Sequence, residues 1–312
     1  MELFIPTLNQ MIYLFAFILI GYLLAHFGAV KPEAAGVLSK LENMLFIPAL
    51  VMGTFMKNFT VGTLREAWKL LLFSLAIEAV VLPLSILCGR ICSKDGDERN
   101  IIAYGLAFSN FGFMGNAVVN AVFPQYFMEY VIFTLVLWVI IYSWAVPAWL
   151  IPKDGKQGMG QRIKNIFNPM FIGMILGIVI SLTGLQLPTS LVSVIDTAGN
   201  CMSPIAMILT GITVASIDLK KAFRAWNIYV VTGLRLLVFP LVSLGIFALF
   251  PLPETFVVCA FCAMAMPLGL SPVVIPAGYG KDTSRAAAMV LVSHLTSMIT
   301  IPLLFILLEK VI

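Results

Sequence analysis

Apolar residues run along this chain in blocks of about 20, the length that spans a bilayer as a helix, and short polar segments divide them. Ten such stretches can be drawn: Leu8–Phe27, Ala35–Met56, Ala67–Cys92, Arg99–Phe123, Phe127–Ile151, Asn168–Gly184, Ser190–Ser216, Trp226–Phe250, Thr255–Tyr279 and Ser284–Leu308. No loop between them is long enough for a soluble domain. The pattern predicts an all-α integral membrane protein with ten transmembrane helices. Glu2 is the only charge before the first stretch, and that apolar run exceeds the 7–15 residues of a signal-peptide core, so it reads as a retained span. Capping spacings place helix starts at Ser39–Glu42 and Thr63–Glu66, and Asn168–Pro169 reads as an N-cap with a first-turn proline.

The pattern repeats itself after about half the chain. Gly21, Gly28 and Pro32 recur as Gly177, Gly184 and Pro188; Ala67–Trp68 recurs as Ala225–Trp226; Pro83 and Pro147 recur as Pro240 and Pro302. The offset stays nearly constant and follows the order of the stretches. Two five-helix repeats are expected, at 1–152 and 161–312, joined by a cytoplasmic linker at 153–160. Five is odd, so the second repeat enters from the opposite side and the two are inverted. Inverted repeats are characteristic of secondary transporters, whose sites lie at the repeat interface near the midplane.

Composition agrees with a lipid solvent: 61% of the 312 residues are hydrophobic and 11% charged, against about 45–50% and 25% in soluble domains. The placement of the basic residues sets an orientation. With the N-terminus outside, the inward loops carry Lys31, Lys40, Arg90, Lys94, Arg99, Lys153, Lys156, Arg162, Lys164, Lys220, Lys221, Arg224, Lys281 and Arg285. The outward side keeps only Lys57, Arg65, Lys69 and Lys310. Basic residues concentrate on cytoplasmic loops, so both termini are expected outside a plasma (inner) membrane that the chain crosses many times. These short, separate clusters argue against nucleic acid as a partner. Cys259 and Cys262 form a CxxC inside an apolar stretch without a nearby histidine, which reads as small buried thiols. No metal or cofactor is expected. The two histidines stand at opposite ends of the sequence and no paired intramembrane aspartates occur, so a catalytic set is missing and an enzyme is not expected.

Two stretches are badly built as continuous helices. The fourth reads AFSNFGFMGNAVVNAVF (Ala107–Phe123), where Gly112 and Gly115 loosen the helix and Ser109, Asn110, Asn116 and Asn120 add polar groups. The ninth reads AMPLGLSPVVIPAG (Ala265–Gly278), with Gly269, Ser271 and three prolines, Pro267, Pro272 and Pro276, each lacking a helical donor. Replacing Pro272 is expected to let this stretch become one helix. Interrupted spans at matching places in two repeats point to a transporter site. Their half-helix ends carry unpaired N–H groups that an anion, an ion or water can satisfy. The second and seventh stretches also match: Asn43 precedes Pro48 and Asn200 precedes Pro204, so both asparagines are candidates to face the same cavity. Glu78 and Arg235 are repeat equivalents of opposite sign near the centres of their spans, either a counter-charge or proton site or a structural ion pair. Gly173 and Gly177 read as a packing notch, and His294 as a helix-contact residue.

At these motifs the chain resembles the auxin efflux carrier family of bacteria and plants. SNFGFMGN (Ser109–Asn116) is similar to the family's fourth-span crossover, PLGLSPVVIPAGYGKDT (Pro267–Thr283) to its ninth-span crossover and following loop, and GITVASIDLKK (Gly211–Lys221) and LRLLVFPL (Leu234–Leu241) to its seventh and eighth spans. The resemblance covers nearly the whole chain. It implies ten helices in two inverted repeats, with helices 4 and 9 broken and crossing. It also implies a scaffold domain of helices 1, 2, 6 and 7 and a mobile, elevator-type transport domain of helices 3–5 and 8–10. The implied cargo is a small organic anion, a carboxylate such as auxin or malate. Asn110 matches the family's crossover asparagine and Pro272 its ninth-span crossover proline. Plant members carry a proline where this chain has Asn116–Ala117, so the fourth-span interruption here rests on glycine and asparagine. The expected site comprises Asn110, Gly112, Gly115, Asn116, Gly269, Ser271 and Pro272, with Asn43, Asn200, Glu78 and Arg235 as further candidates. H+ and Na+ are the candidate coupling ions and a homodimer the candidate assembly; a transporter-like sensor or a channel is the alternative reading.

Overall fold

The computed structural model describes residues 3–151, 158, 160, 167–215, 225–277, 279 and 281–312. Most of the 153–160 linker lies outside the described residues. So do Lys153, Lys156, Arg162, Lys164, Lys220, Lys221 and Arg224, on which much of the orientation argument rests. The described chain is helical: α1 (Phe4–His26), α2 (Ala34–Asn58), α3 (Val61–Cys92), α4 (Gly96–Ala107), α5 (Phe111–Val122), α6 (Pro124–Leu150), α7 (Pro169–Thr183), α8 (Thr189–Ala215), α9 (Trp226–Phe247), α10 (Glu254–Ala265), α11 (Ser271–Ala277) and α12 (Ser284–Leu308). Seven of these, α1, α2, α3, α6, α8, α9 and α12, are long and apolar enough to cross a membrane. Three shorter apolar helices, α5, α7 and α10, fall in the remaining predicted stretches.

Caps set several of the boundaries. Asn168 caps α7, its side-chain oxygen accepting from the Phe171 N–H at 3.0 Å, with Pro169 in the first turn where no donor is missed. The capping box of α3 forms three residues earlier than the spacing predicts: Thr60 is the cap and Thr63 its reciprocal partner. Ser39–Glu42 starts no helix. It lies inside α2, where residues Glu42–Phe46 widen into a π turn just before Pro48. Similar wide turns precede Pro240 (Leu234–Val238) and surround Pro147 (Ile141–Leu150). A proline ring cannot donate and crowds the carbonyl one turn back, and a wider turn relieves both defects.

Small residues let helix backbones touch. α1 lies along α8, where a side chain on Gly21 would strike the Ile208 carbonyl and one on Gly211 the Ile18 carbonyl. α2 lies along α7, where Cβ atoms at Gly173 and Gly177 would come within 2.7 Å of the Pro48 and Met52 carbonyl oxygens, so this GxxxG is a packing notch. α8 also packs on α2, which joins these four helices into one group. α3 packs along α4 and α6, and α12 along α9 and α1.

At one end of the molecule the starts of α4, α9 and α12 are tied together through Glu98. Its carboxylate accepts from Ser93 Oγ at 2.6 Å, Asn227 Nδ2 at 2.9 Å and Arg285 Nη1 at 2.6 Å. Burial pushes this carboxyl up, but the hydrogen bonds from Ser93, Arg285 and Asn227 outweigh it and hold Glu98 below its ordinary value.

Candidate functional site: two paired helix breaks

Both predicted interruptions are present, and they meet. α4 ends at Ala107, and Phe108 turns to extended backbone (φ −117°, ψ 102°). α10 ends at Ala265, and Met266 does the same (φ −72°, ψ 150°). The two extended segments pair antiparallel at Ser109 and Leu268, and the Asn110 N–H donates to the Pro267 carbonyl at 2.7 Å. Ser109 Oγ donates to the Ala263 carbonyl at 2.6 Å, and the Leu268 N–H donates to Ser293 Oγ on α12 at 3.2 Å. Several backbone groups freed by the breaks are thus paired within the protein, as apolar surroundings require.

Arg235, on α9, completes this accounting. Its Nε donates to the Met266 carbonyl at 3.0 Å, Nη1 to Leu106 at 2.8 Å and Nη2 to Ala263 at 2.9 Å. These carbonyls belong to the C-terminal ends of α4 and α10, where helix dipoles are negative and oxygens lack helical partners. One planar cation therefore caps two half-helices. Glu78 lies close by: it and Arg235 line one cavity of about 20 Å³ with Ser74, Ala107 and Ala263. No ion pair within 4.0 Å joins them among the described residues, and Glu78 Oε1 has no hydrogen-bond partner.

The glycines of the fourth stretch do not make the break, which falls ahead of them. They admit aromatic rings instead: a side chain on Gly112 would strike the Trp138 ring, and one on Gly115 the Tyr130 hydroxyl, which donates to the Phe111 carbonyl at 3.1 Å. Pro267 lies in the ninth-stretch break, Pro272 in the first turn of α11 and Pro276 within α11. The break therefore precedes Pro272, whose missing donor costs no helical bond. On this geometry, removing Pro272 is not expected to restore a continuous helix.

A cavity of about 30 Å³ opens at the junction, lined by Ser109, Asn110, Gly112, Gly269 and Ser271 together with Tyr104 and Trp138. Gly115, Asn116 and Pro272 do not line it; Asn116 is buried within α5. Asn110 caps the wide first turn of α5, its backbone carbonyl accepting from Met114 at 3.1 Å and Gly115 at 2.9 Å. Its side-chain Nδ2 lies 3.1 Å from Nε2 of His294. Sequence reasoning gave His294 only a packing role; the signal was the polar run Ser293, His294, Thr296 and Ser297 inside an apolar stretch.

Asn43 and Asn200 line different cavities. Asn43 donates to the Ser39 carbonyl at 2.7 Å and faces a space of about 40 Å³ with Trp138, Tyr142 and Asn168. Asn200 faces a more polar space of about 180 Å³ with Asn120, Thr54 and the ion pair between Lys57 and Asp196 (2.7 Å). Among the described residues no group of three His, Cys, Asp or Glu side chains could hold a metal ion.

Long apolar helices around two interrupted ones, joined at their breaks, define a polytopic helical membrane protein with a polar centre. The chain belongs to the membrane transport protein family, the auxin efflux carrier family whose motifs it shares: the family's model matches residues 6–159 and 159–305. It is also similar to an uncharacterized transporter of Methanothermobacter thermautotrophicus, with 21% identity over 304 residues that cover 96% of this chain and 98% of that protein.

Proposed function

We propose that this membrane transporter is a secondary carrier for a small organic anion bearing a carboxylate, working by elevator-type alternating access. The observation that carries the reading is the junction of the two breaks. Arg235 occupies the C-terminal ends of α4 and α10, while the starts of α5 and α11 border the cavity through Asn110, Gly112 and Ser271. Helix starts present donors and a positive dipole end, which suits an anion. The ten apolar stretches are read as ten spans in two inverted repeats, with the two family matches meeting at residue 159 in support. The Glu98 knot also supports it, because it gathers the starts of the fourth, eighth and tenth spans at one end, as the inverted arrangement requires. The packed group α1, α2, α7 and α8 is the proposed scaffold, and the remaining helices the moving domain. A cavity of about 30 Å³ holds about one water, so admitting an organic anion requires the two domains to shift. The proposed setting is the plasma membrane with both termini outside, and H+ or Na+ as the coupling ion.

Uptake into proteoliposomes tests this, with malate and indole-3-acetate as the probes and pH and sodium varied. Saturable uptake of a carboxylate is the expected result. Unitary currents would reveal a channel, and binding without flux a sensor; either overturns the carrier.

A further inference from the structure

His294 is buried on α12 between two hydrogen bonds that fix both ring nitrogens. Nδ1 lies 2.8 Å from the Val290 carbonyl oxygen, which can only accept, so Nδ1 carries a proton. Nε2 lies 3.1 Å from Asn110 Nδ2. The Asn110 side-chain oxygen faces the Met114 N–H, so its nitrogen faces the imidazole and Nε2 accepts. An amide nitrogen has two N–H groups. One goes to His294; the other remains to serve a ligand, and Asn110 lines the junction cavity. The bond on the oxygen side is long, 3.4 Å, and the Met114 N–H already serves the Asn110 backbone carbonyl at 3.1 Å. The imidazole is therefore the stronger of the two guides. A reversed amide would set its oxygen against the Nε2 lone pair, acceptor against acceptor.

We propose that His294 is a positioning residue: by accepting from Asn110 it holds the amide as a donor toward the junction cavity and makes that site select carboxylates over uncharged analogues. The inference rests on the reading of the junction as an anion site. Ser293, the neighbouring residue, receives the Leu268 N–H, so adjacent α12 residues support both breaks.

The chain has two histidines, so a His26→Gln background in lipid nanodiscs leaves His294 as the sole imidazole for nitrogen-15 NMR. The expected spectrum is a neutral ring protonated at Nδ1, with an Nε2 resonance that moves in Asn110→Ala. A ring protonated at Nε2, or an Nε2 signal indifferent to Asn110→Ala, overturns the proposal whatever the cargo is. The second arm compares affinity for indole-3-acetate and malate with that for uncharged indole-3-acetamide. His294→Leu is expected to weaken carboxylate binding about 10- to 150-fold, the worth of a hydrogen bond to a charged group, and to weaken acetamide binding far less. His294→Gln, which keeps an acceptor, is expected to recover most of the loss. Equal losses for both ligand classes, or no recovery in His294→Gln, would mean that the imidazole only fills space. No carboxylate binding by the unsubstituted protein overturns the anion reading and the selectivity together. Binding intact with the wrong tautomer overturns only the role given to His294.

Discussion

Glu78 and Arg235 face one cavity of about 20 Å³, yet the guanidinium spends its hydrogen bonds on the carbonyls of Leu106, Ala263 and Met266 rather than on the carboxylate. The space accepts about one water, and through it two residues 157 positions apart can feel each other's charge. Their roles are unequal. Arg235→Gln strips two helix ends of their cap, whereas Glu78→Gln removes only a counter-charge. Removing one member of a buried charged group costs about 3–5 kcal/mol. We expect Arg235→Gln to reach that range in detergent stability and Glu78→Gln to fall below it. The double variant should be less damaging than the sum; strict additivity would show the two side chains to be independent. Arg235→Lys should not rescue, because an ammonium lacks the planar fork that reaches three carbonyls.

Asn110→Ala is the direct probe of the proposed anion site. The donor proposed to face the cavity disappears, while the paired backbone of Asn110 and Pro267 can remain. Carboxylate affinity should fall about 10- to 150-fold, with expression and folding retained. Unchanged binding and transport would move the site, most directly to the polar space of Asn200, Asn120, Lys57 and Asp196.

Pro272→Ala should leave the ninth-stretch break in place. The break is held at Met266–Leu270 by the Asn110–Pro267, Leu268–Ser293 and Arg235–Met266 hydrogen bonds, all upstream of Pro272. Disulfide trapping of cysteine pairs across the break, in the native and Pro272→Ala proteins, should give the same pattern. A new pattern consistent with one continuous helix would show that the proline, and not the cross-break bonding, interrupts the span.

Acid should loosen the knot at Glu98. Its carboxyl is held below the usual range, because the bonds from Ser93, Arg285 and Asn227 outweigh burial. A lowered folded value means that its contribution is complete above the unfolded value of about 4.3 and is lost as pH falls through the folded one. Glu98→Gln should lower the melting temperature at neutral pH, and the gap to the native protein should close on acidification below about pH 4. A gap that stays constant with pH would show that the charge contributes nothing.

Orientation can be read with a cysteine at position 156 in a background lacking the native cysteines. With both termini outside, Lys156→Cys should resist an impermeant thiol reagent applied to intact cells and react after the membrane is opened. Labelling from outside reverses the topology.

The linear pattern was enough to determine the solvent, the ten apolar stretches and the two places where a helix is costly to continue. Glycine, proline and asparagine raise that cost through local backbone chemistry, so Ser109–Asn116 and Pro267–Pro272 stand out without a partner in view. Tertiary structure decided what each break does with its freed groups. The fourth-stretch break opened at Phe108–Asn110, where Ser109 and Asn110 pair with the ninth-stretch break, and Gly112 and Gly115, downstream of it, admit Trp138 and Tyr130. The charge at 235 became a cap on two helix ends, and Asn43 and Asn200, matched in sequence, came to face separate cavities. Arg235 meets Leu106 across 129 positions, and Asn110 meets His294 across 184. Helical periodicity reaches only about four residues along the chain, so such pairings exist only once the helices are packed.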